Sequence, residues 1–242
     1  MANDNLSGPI VSMSLINYFY KLKNLEKTIR FIFIPETIGA ITFLNKNLSY
    51  LKENVIGGFN LSCVGDDKHH SCMFTKYENT LSDTSITEAY NKLKIKFKRY
   101  SFLDRGSDER QYNSPGIDLP IATIFRTKFG KNPEYHTSLD DFNLVTEKGI
   151  KGAFKVVKEA IIILNKKIIP KNTILCEPQM GKRSLRSTLS TKGIKKSTFD
   201  YMNFLQYADG KNDLKKISEL IKLSYKDVFK IYNILAKHRL IT

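Results

Sequence analysis

Residues 28–35 read Thr-Ile-Arg-Phe-Ile-Phe-Ile-Pro, a compact β-branched and aromatic run of the kind found in strands covered on both faces. A second such run occupies residues 120–126. Further strands are expected at residues 54–65, 71–76 and 95–102. Helical spacing separates them. Residues 6–23 carry apolar side chains at Ile10, Met13, Leu15, Ile16, Phe19 and Leu22, and residues 36–51 and 85–94 return to the same period. A long helix is expected from Leu139 or Asp140 to about Lys166, with Phe142, Val145, Ile150, Phe154, Val157 and Ile161 on one side. This alternation predicts an α/β domain of three layers, a sheet between helices.

The pattern fails near Pro178. Residues 181–196 hold Lys182, Arg183, Arg186, Lys192, Lys195 and Lys196 among Ser, Thr and Gly, as in a basic linker. Beyond it, residues 197–242 show three helical segments, with Ser224 a suitable N-cap for the last. The expected organisation is therefore a domain at 1–180, a linker at 181–196 and a small helical domain at 197–242. From Lys195 onward ten basic residues face five acidic ones.

The whole chain of 242 residues has a net charge of +15, which would attract nucleic acid, acidic lipid or an anionic substrate, or simply coat a solvated surface. No stretch approaches the roughly 18 apolar residues of a spanning helix, and no basic-then-apolar leader opens the chain. Cys63, Cys72 and Cys176 lack zinc-finger spacing, and an odd number fits a reducing compartment. A cytoplasmic protein is expected.

Of four polar turns, the three that carry Asp4, Glu36 and His136 hold the residue types that metal-assisted hydrolysis needs: imidazole and carboxylate ligands, and a base for the bound water. Asp4 lies in Ala2-Asn3-Asp4-Asn5-Leu6-Ser7-Gly8 before the first helix. Glu36 lies in Phe33-Ile34-Pro35-Glu36-Thr37-Ile38-Gly39-Ala40, where a strand is expected to pass into a helix. Asp108, Glu109, Arg110 and Tyr112 lie in a loop running on to Ser114-Pro115-Gly116-Ile117. His136 and Asp140 lie in Glu134-Tyr135-His136-Thr137-Ser138-Leu139-Asp140. Read singly, Asp4 and Asp140 also suit helix caps, Glu36 a first helical turn, and His136 a hydrogen-bonded loop.

In order and spacing the four turns resemble the co-catalytic zinc aminopeptidases, and within that clan a bacterial aminopeptidase-like branch ending in a winged helix. The resemblance covers nearly the entire chain. It implies Asp4 as the bridging carboxylate ligand, His136 as the terminal imidazole ligand, Glu36 as general base and Asp140 as support for the His136 loop or cap of the following helix. Asp108, Glu109, Arg110 and Tyr112 would face the substrate, with Arg110 able to grip a carboxylate or to form a surface ion pair. The reaction implied is hydrolysis of an amide, at an N-terminal amino acid or an acylated amino sugar, since relatives of this branch are associated with surface polysaccharide biosynthesis. The alternative is a scaffold without the ion that binds or regulates, docking protein or DNA through its winged helix. Lys226, Lys230 and Lys237 lie on or near the last helix, which has no clear set of base-reading residues.

Three positions depart from the pattern. Thr37 stands where a second glutamate would bind metal, and Ser62 where an aspartate would, with Asp66 close enough to substitute. None of His69, His70, His136 and His238 precedes Asp4, where the di-zinc enzymes carry a further histidine. A chain lacking an upstream strand and that histidine is the expectation. His69-His70 is a weaker alternative cluster, because adjacent strand residues point to opposite faces.

Overall fold

The computed structural model describes residues 1–186 and 196–242. Residues 187–195, most of the expected basic linker and including Lys192 and Lys195, lie outside the described residues. Two compact units are present, Met1–Lys166 and Lys167–Thr242.

In the first unit the turn Ala2–Leu6 leads into α1 (Ser7–Tyr20), followed by α2 (Ile38–Asn54), β1 (Gly58–Leu61), β2 (Ser71–Met73) and α3 (Leu81–Leu93). Then come β3 (Lys98–Tyr100), the short α4 (Glu109–Tyr112), β4 (Ile121–Phe125) and α5 (Glu147–Lys166). The sheet runs β1-β4-β2-β3, with β1 parallel to β4, β2 antiparallel to β4 and β3 parallel to β2. The period of two along β4 divides the core. Ala122 and Ile124 join Val11, Leu15 and Phe19 of α1, Ile86 and Tyr90 of α3, and Val156 and Val157 of α5. Ile121 instead meets Leu44 and Leu51 of α2 and Tyr112 of α4. Helices therefore cover both faces, as the alternating pattern requires.

Local chemistry sets the helix ends. Thr80 and Asp83 form a reciprocal capping box at the start of α3. Helix α5 begins later than its apolar period: Thr146 accepts the Gly149 amide through Oγ1 (2.9 Å), and residues 137–146 are turns. Asp140 is consequently not its cap. The expected strand at residues 28–35 is also absent. Among the described residues no strand pairs with it, and Ile32 and Phe33 are exposed rather than covered.

The second unit contains α6 (Lys196–Tyr207), α7 (Leu214–Leu220) and α8 (Tyr225–Lys237), with Ser224 capping α8 as its sequence predicts. Its core holds Phe204, Leu214, Ile217, Val228 and Leu235. It starts before residue 180, because Lys171 and Asn172 pair with Asp209 and Ile241, and Met180 is buried in its core. Among the described residues no helix is long and apolar enough to cross a membrane.

A close approach fixes α5 against the end of β1: a Cβ on Gly149 would run into the backbone carbonyls of Gly65 and Asp66. Gly149→Ala is expected to destabilise the first unit by about 3 kcal/mol through forced separation of helix and loop, measured as a fall in the urea midpoint.

Candidate metal centre

Three chain segments meet at the carboxyl end of β1. The Oδ2 atom of Asp4 lies 3.2 Å from Nε2 of His136. The pair is held through the backbone. Asp140 accepts the amides of Asn3 (2.6 Å) and Asp4 (2.9 Å), one on each carboxylate oxygen, so the first turn is strapped to the loop that carries His136. Burial would raise the Asp140 pKa, but these amides and the N-terminal ammonium outweigh it and leave it below the usual carboxylate value. The peptide between Asp4 and Asn5 is cis.

The ring of Tyr135 stacks on His136, with centroids 3.9 Å apart. Burial pushes the Tyr135 hydroxyl up to about 12, and the charges of Asp4, Cys63 and Glu36 add to the shift. Cys63 is likewise pushed up to about 12, first by burial and then by Asp4, so it stays a neutral thiol. Tyr135, Cys63 and Asn3 are the residues that sequence reasoning missed. Only Asn3 carried a signal, its place beside Asp4 in a polar turn.

Glu36 is exposed beside a braced corner. Thr37 has φ 61° and ψ −72°, an unfavourable conformation for a β-branched residue. Asp108 accepts the Thr37 amide (2.8 Å) and Arg110 donates to its hydroxyl (2.7 Å). Burial raises the Asp108 pKa, the Thr37 amide opposes this, and Glu36 and Glu109 add to it. Asp108 and Arg110 thus hold the corner that presents Glu36. Glu109, expected at the substrate, is buried instead: its carboxylate accepts the amides of Gly106 and Ser107 and bonds from Asn60 and Thr123. Tyr112 packs against α2, its hydroxyl pushed up to about 12 by burial and by Asp108.

Asp66, expected as a replacement ligand, is fully buried, and its carboxylate accepts from Thr127 N (2.9 Å), Thr127 Oγ1 (2.6 Å), Lys68 N (3.1 Å) and Asn3 Nδ2 (3.4 Å). Those bonds saturate its lone pairs, so it forms the floor of the site. Ser62 is buried with its hydroxyl toward the Cys63 sulfur. His70 bonds Arg126, and its pKa is lowered to about 4 by burial and by that guanidinium. The adjacent histidines do not form a ligand pair. Among the described residues no group of three or more His, Cys, Asp or Glu side chains is placed to hold an ion.

Because Asp140 satisfies two amides that would otherwise be stranded beside the pair, Asp140→Ala is expected to cost about 3 kcal/mol. Hydrogen exchange at Asn3 and Asp4 should accelerate in that variant while the α5 amides keep their protection.

Residues 1–167 match the family model described as a domain of unknown function (DUF4910), and residues 168–242 match a winged helix-turn-helix model. A putative polysaccharide biosynthesis protein with an aminopeptidase-like domain, from Clostridium acetobutylicum, is 34% identical over 222 residues, 90% of this chain and 50% of the relative. The crystal structure of a putative peptidase from the same organism superposes with TM-score 0.67 at 30% identity, covering 100% of this chain and 54% of that one. The zinc aminopeptidase BSAP of Bacillus subtilis gives TM-score 0.60 at 20% identity, covering 69% and 42%. The LapA aminopeptidase of Legionella pneumophila gives 0.59 at 18%, covering 69% and 47%. The last two likenesses show the fold, and the chain spans about half the length of the relatives it matches. By its family match, its fold and the three turns that meet at Asp4, the chain belongs to the DUF4910 family, with an aminopeptidase-like first unit followed by a winged helix.

Proposed function

We propose that the first unit is a zinc-dependent amide hydrolase domain of the aminopeptidase type, with Asp4 and His136 as ligands and Glu36 as general base. The observation that carries this reading is the 3.2 Å separation of Asp4 and His136. Two ligand atoms each about 2.0–2.1 Å from a tetrahedral zinc stand about 3.3–3.4 Å apart, so the pair fits two positions of such a centre. Zinc bound there would polarise the amide carbonyl and acidify a water.

The chain's own residues divide the remaining work. Glu36 takes the proton of the attacking water and returns it to the leaving amine. Asp108 and Arg110 hold the Thr37 corner and so fix where the Glu36 carboxylate stands, while Tyr135 stacks on His136 and fixes its ring. Asp140 keeps both ligands in register, and Asp66 holds the floor beneath them.

The substrate follows from chemistry and from the relative's name. An amide beside a free amine, as in an N-terminal amino acid, and an acylated amino sugar of a surface polysaccharide both present the bond this centre would cut. A metal-free binding scaffold is the second reading, because the described residues supply two ligands rather than three.

The second unit reads as a docking module for protein. It holds sixteen Lys and Arg against six Asp and Glu, +10 of the chain's +15. Yet Tyr225 and Phe229 stand exposed on α8, and Lys230 is paired with Asp227. Apolar anchors inside a basic rim suit an acidic protein partner.

Metal analysis after dialysis against zinc is expected to give about one ion per chain, with Asp4→Ala and His136→Ala each weakening binding about 10–100-fold or more. Glu36→Gln should keep the ion and lose hydrolysis of aminoacyl anilides or N-acetylated amino sugars; no zinc at saturation would favour the scaffold. Titration of the chain with duplex DNA should show no salt-dependent complex, whereas affinity falling linearly with the logarithm of salt concentration would reassign the winged helix to nucleic acid.

A further inference from the structure

Among the described residues two cationic side chains of the first unit are buried, Arg126 and Lys128. Arg126 is provided for: it donates to the Asp66 carbonyl (2.8 Å) and bonds His70. Lys128, only 7% exposed, is not. Among the described residues its ammonium has one acceptor, the Phe129 carbonyl at 3.5 Å, and no carboxylate forms an ion pair with it. Glu109 already accepts four hydrogen bonds, and Asp104 is exposed. Burial lowers the Lys128 pKa, and the pull of these two acids does not restore it. A buried ammonium short of acceptors and counter-charge is costly, and a chain that keeps one invites an account of what completes it.

The surroundings are aromatic. Lys128 Nζ stands 3.9 Å from the centroid of the Phe129 ring and 5.6 Å from that of Tyr100. Attraction to ring faces offsets only part of the cost of burial. Lys98 Nζ is 4.9 Å from the same Tyr100 ring, and among the described residues it too lacks an ion pair. Two like charges gathered at one ring repel unless an anion joins them.

Strand register locates the group. Lys98 and Tyr100 of β3 pair with Ser71 and Met73 of β2, which pair in turn with Phe125 and Thr123 of β4. Paired residues share a face of the sheet. It is the face that α4 covers, since Thr123 donates to Glu109 (3.0 Å). Phe129 closes one side: its ring meets Phe125 edge-on at 5.4 Å, and a Cβ on Gly106 would run into it. Beyond Phe129 stand Tyr135, at 6.2 Å between ring centroids, and then His136, 3.9 Å from Tyr135. Contact by contact, two rings separate Lys128 from the Asp4–His136 pair.

We propose that Lys128 receives a carboxylate group carried by a ligand of the first unit, with Lys98 adding attraction and the Tyr100 and Phe129 rings packing the ligand's aliphatic stem. The incoming oxygens take the N–H groups of the ammonium that have no acceptor, in charge-assisted hydrogen bonds. This binding does not depend on the metal. Its consequence for substrate choice rests on the hydrolase reading: the favoured amides carry an acidic group set back from the scissile bond by the span of two rings.

The test is titration of the full, zinc-free chain with N-acetyl-Ala-Glu-amide and with N-acetyl-Ala-Gln-amide, followed by calorimetry and by the Nζ resonance of Lys128. The glutamyl peptide should bind about ten- to a hundredfold more tightly and shift that resonance, and Lys128→Met should remove the difference. Lys98→Met should reduce the preference and its dependence on salt. The resonance is read on the parent chain, so it decides the matter even where Lys128→Met does not fold. The proposal is overturned if the glutamyl peptide binds no better than the glutaminyl one, if Lys128→Met keeps the preference, or if inorganic phosphate at equal concentration displaces the glutamyl peptide. Glutamyl binding at Lys128 with no amide hydrolysis after zinc loading would sustain this subsite and sink the hydrolase reading alone.

Discussion

A carboxylate with no exposure to water holds this unit together. Asp66 accepts four hydrogen bonds from three separate stretches of chain: the first turn through Asn3, the end of β4 through Thr127, and its own loop through Lys68. A buried carboxylate with unfilled lone pairs is strongly unfavourable, so each donor is fixed by the demand of the acid. Asn3 passes the constraint on, because its Oδ1 accepts the Gly65 amide (2.7 Å) and its carbonyl accepts the Ser7 hydroxyl (2.6 Å), which in turn accepts the Val64 amide (3.0 Å). The turn carrying Asp4 is thereby tied to the loop after β1.

In this unit the chain also bends sharply at three places. Thr37, Cys63 and His136 have φ of 61°, 48° and 58°, values that L side chains rarely adopt. Each such residue stores of order 1–3 kcal/mol and persists only where its surroundings over-determine it. Here the surroundings are visible: Asp108 and Arg110 at Thr37, the buried end of β1 at Cys63, and the Tyr135 ring beside His136. Bends of this kind let short loops turn their functional side chains toward a common point, which a relaxed extended loop would carry past it.

The sequence announced the layers and the turns better than the side-chain roles. Apolar periodicity found α1, α2, β4 and α8 because burial imposes a repeat on the chain. It overran at the start of α5, where Phe142 and Val145 keep the apolar spacing but Thr146 takes the capping position. It also named residues 28–35 a strand, since β-branched composition records what a segment is suited to pair with, and pairing itself needs a neighbour. The turns that bring Asp4 and His136 to 3.2 Å of one another were marked by their polar residues in the sequence. Glu109 and Asp66 were misassigned because a carboxylate that binds an ion and one that accepts buried amides look identical in sequence; only the count of donors around each separates them. Asp140 was placed as support, but its partners lie 136 and 137 residues away and no local pattern encodes that.

Net charge pointed away from the site. The chain is strongly basic, and a reading from its pI favours anions as ligands, but most of the excess lies in the second unit. At the carboxyl end of β1 the local field has the opposite sign. Asp4, Asp66 and Asp140 all act on the Cys63 thiol, Asp4 and Glu36 on the Tyr135 hydroxyl, and Glu36 with Glu109 on Asp108, and every one of these influences raises a pKa. Burial is the largest cause for each group and the neighbouring carboxylates add to it, while Arg110 opposes them at Asp108. Burial, with these carboxylates adding to it, keeps Tyr135 and Cys63 protonated, so neither sets a thiolate or a phenolate beside Asp4 and His136. Overall basicity belongs to the surface and to the winged helix; what the centre attracts is decided within a few ångströms of its ligands.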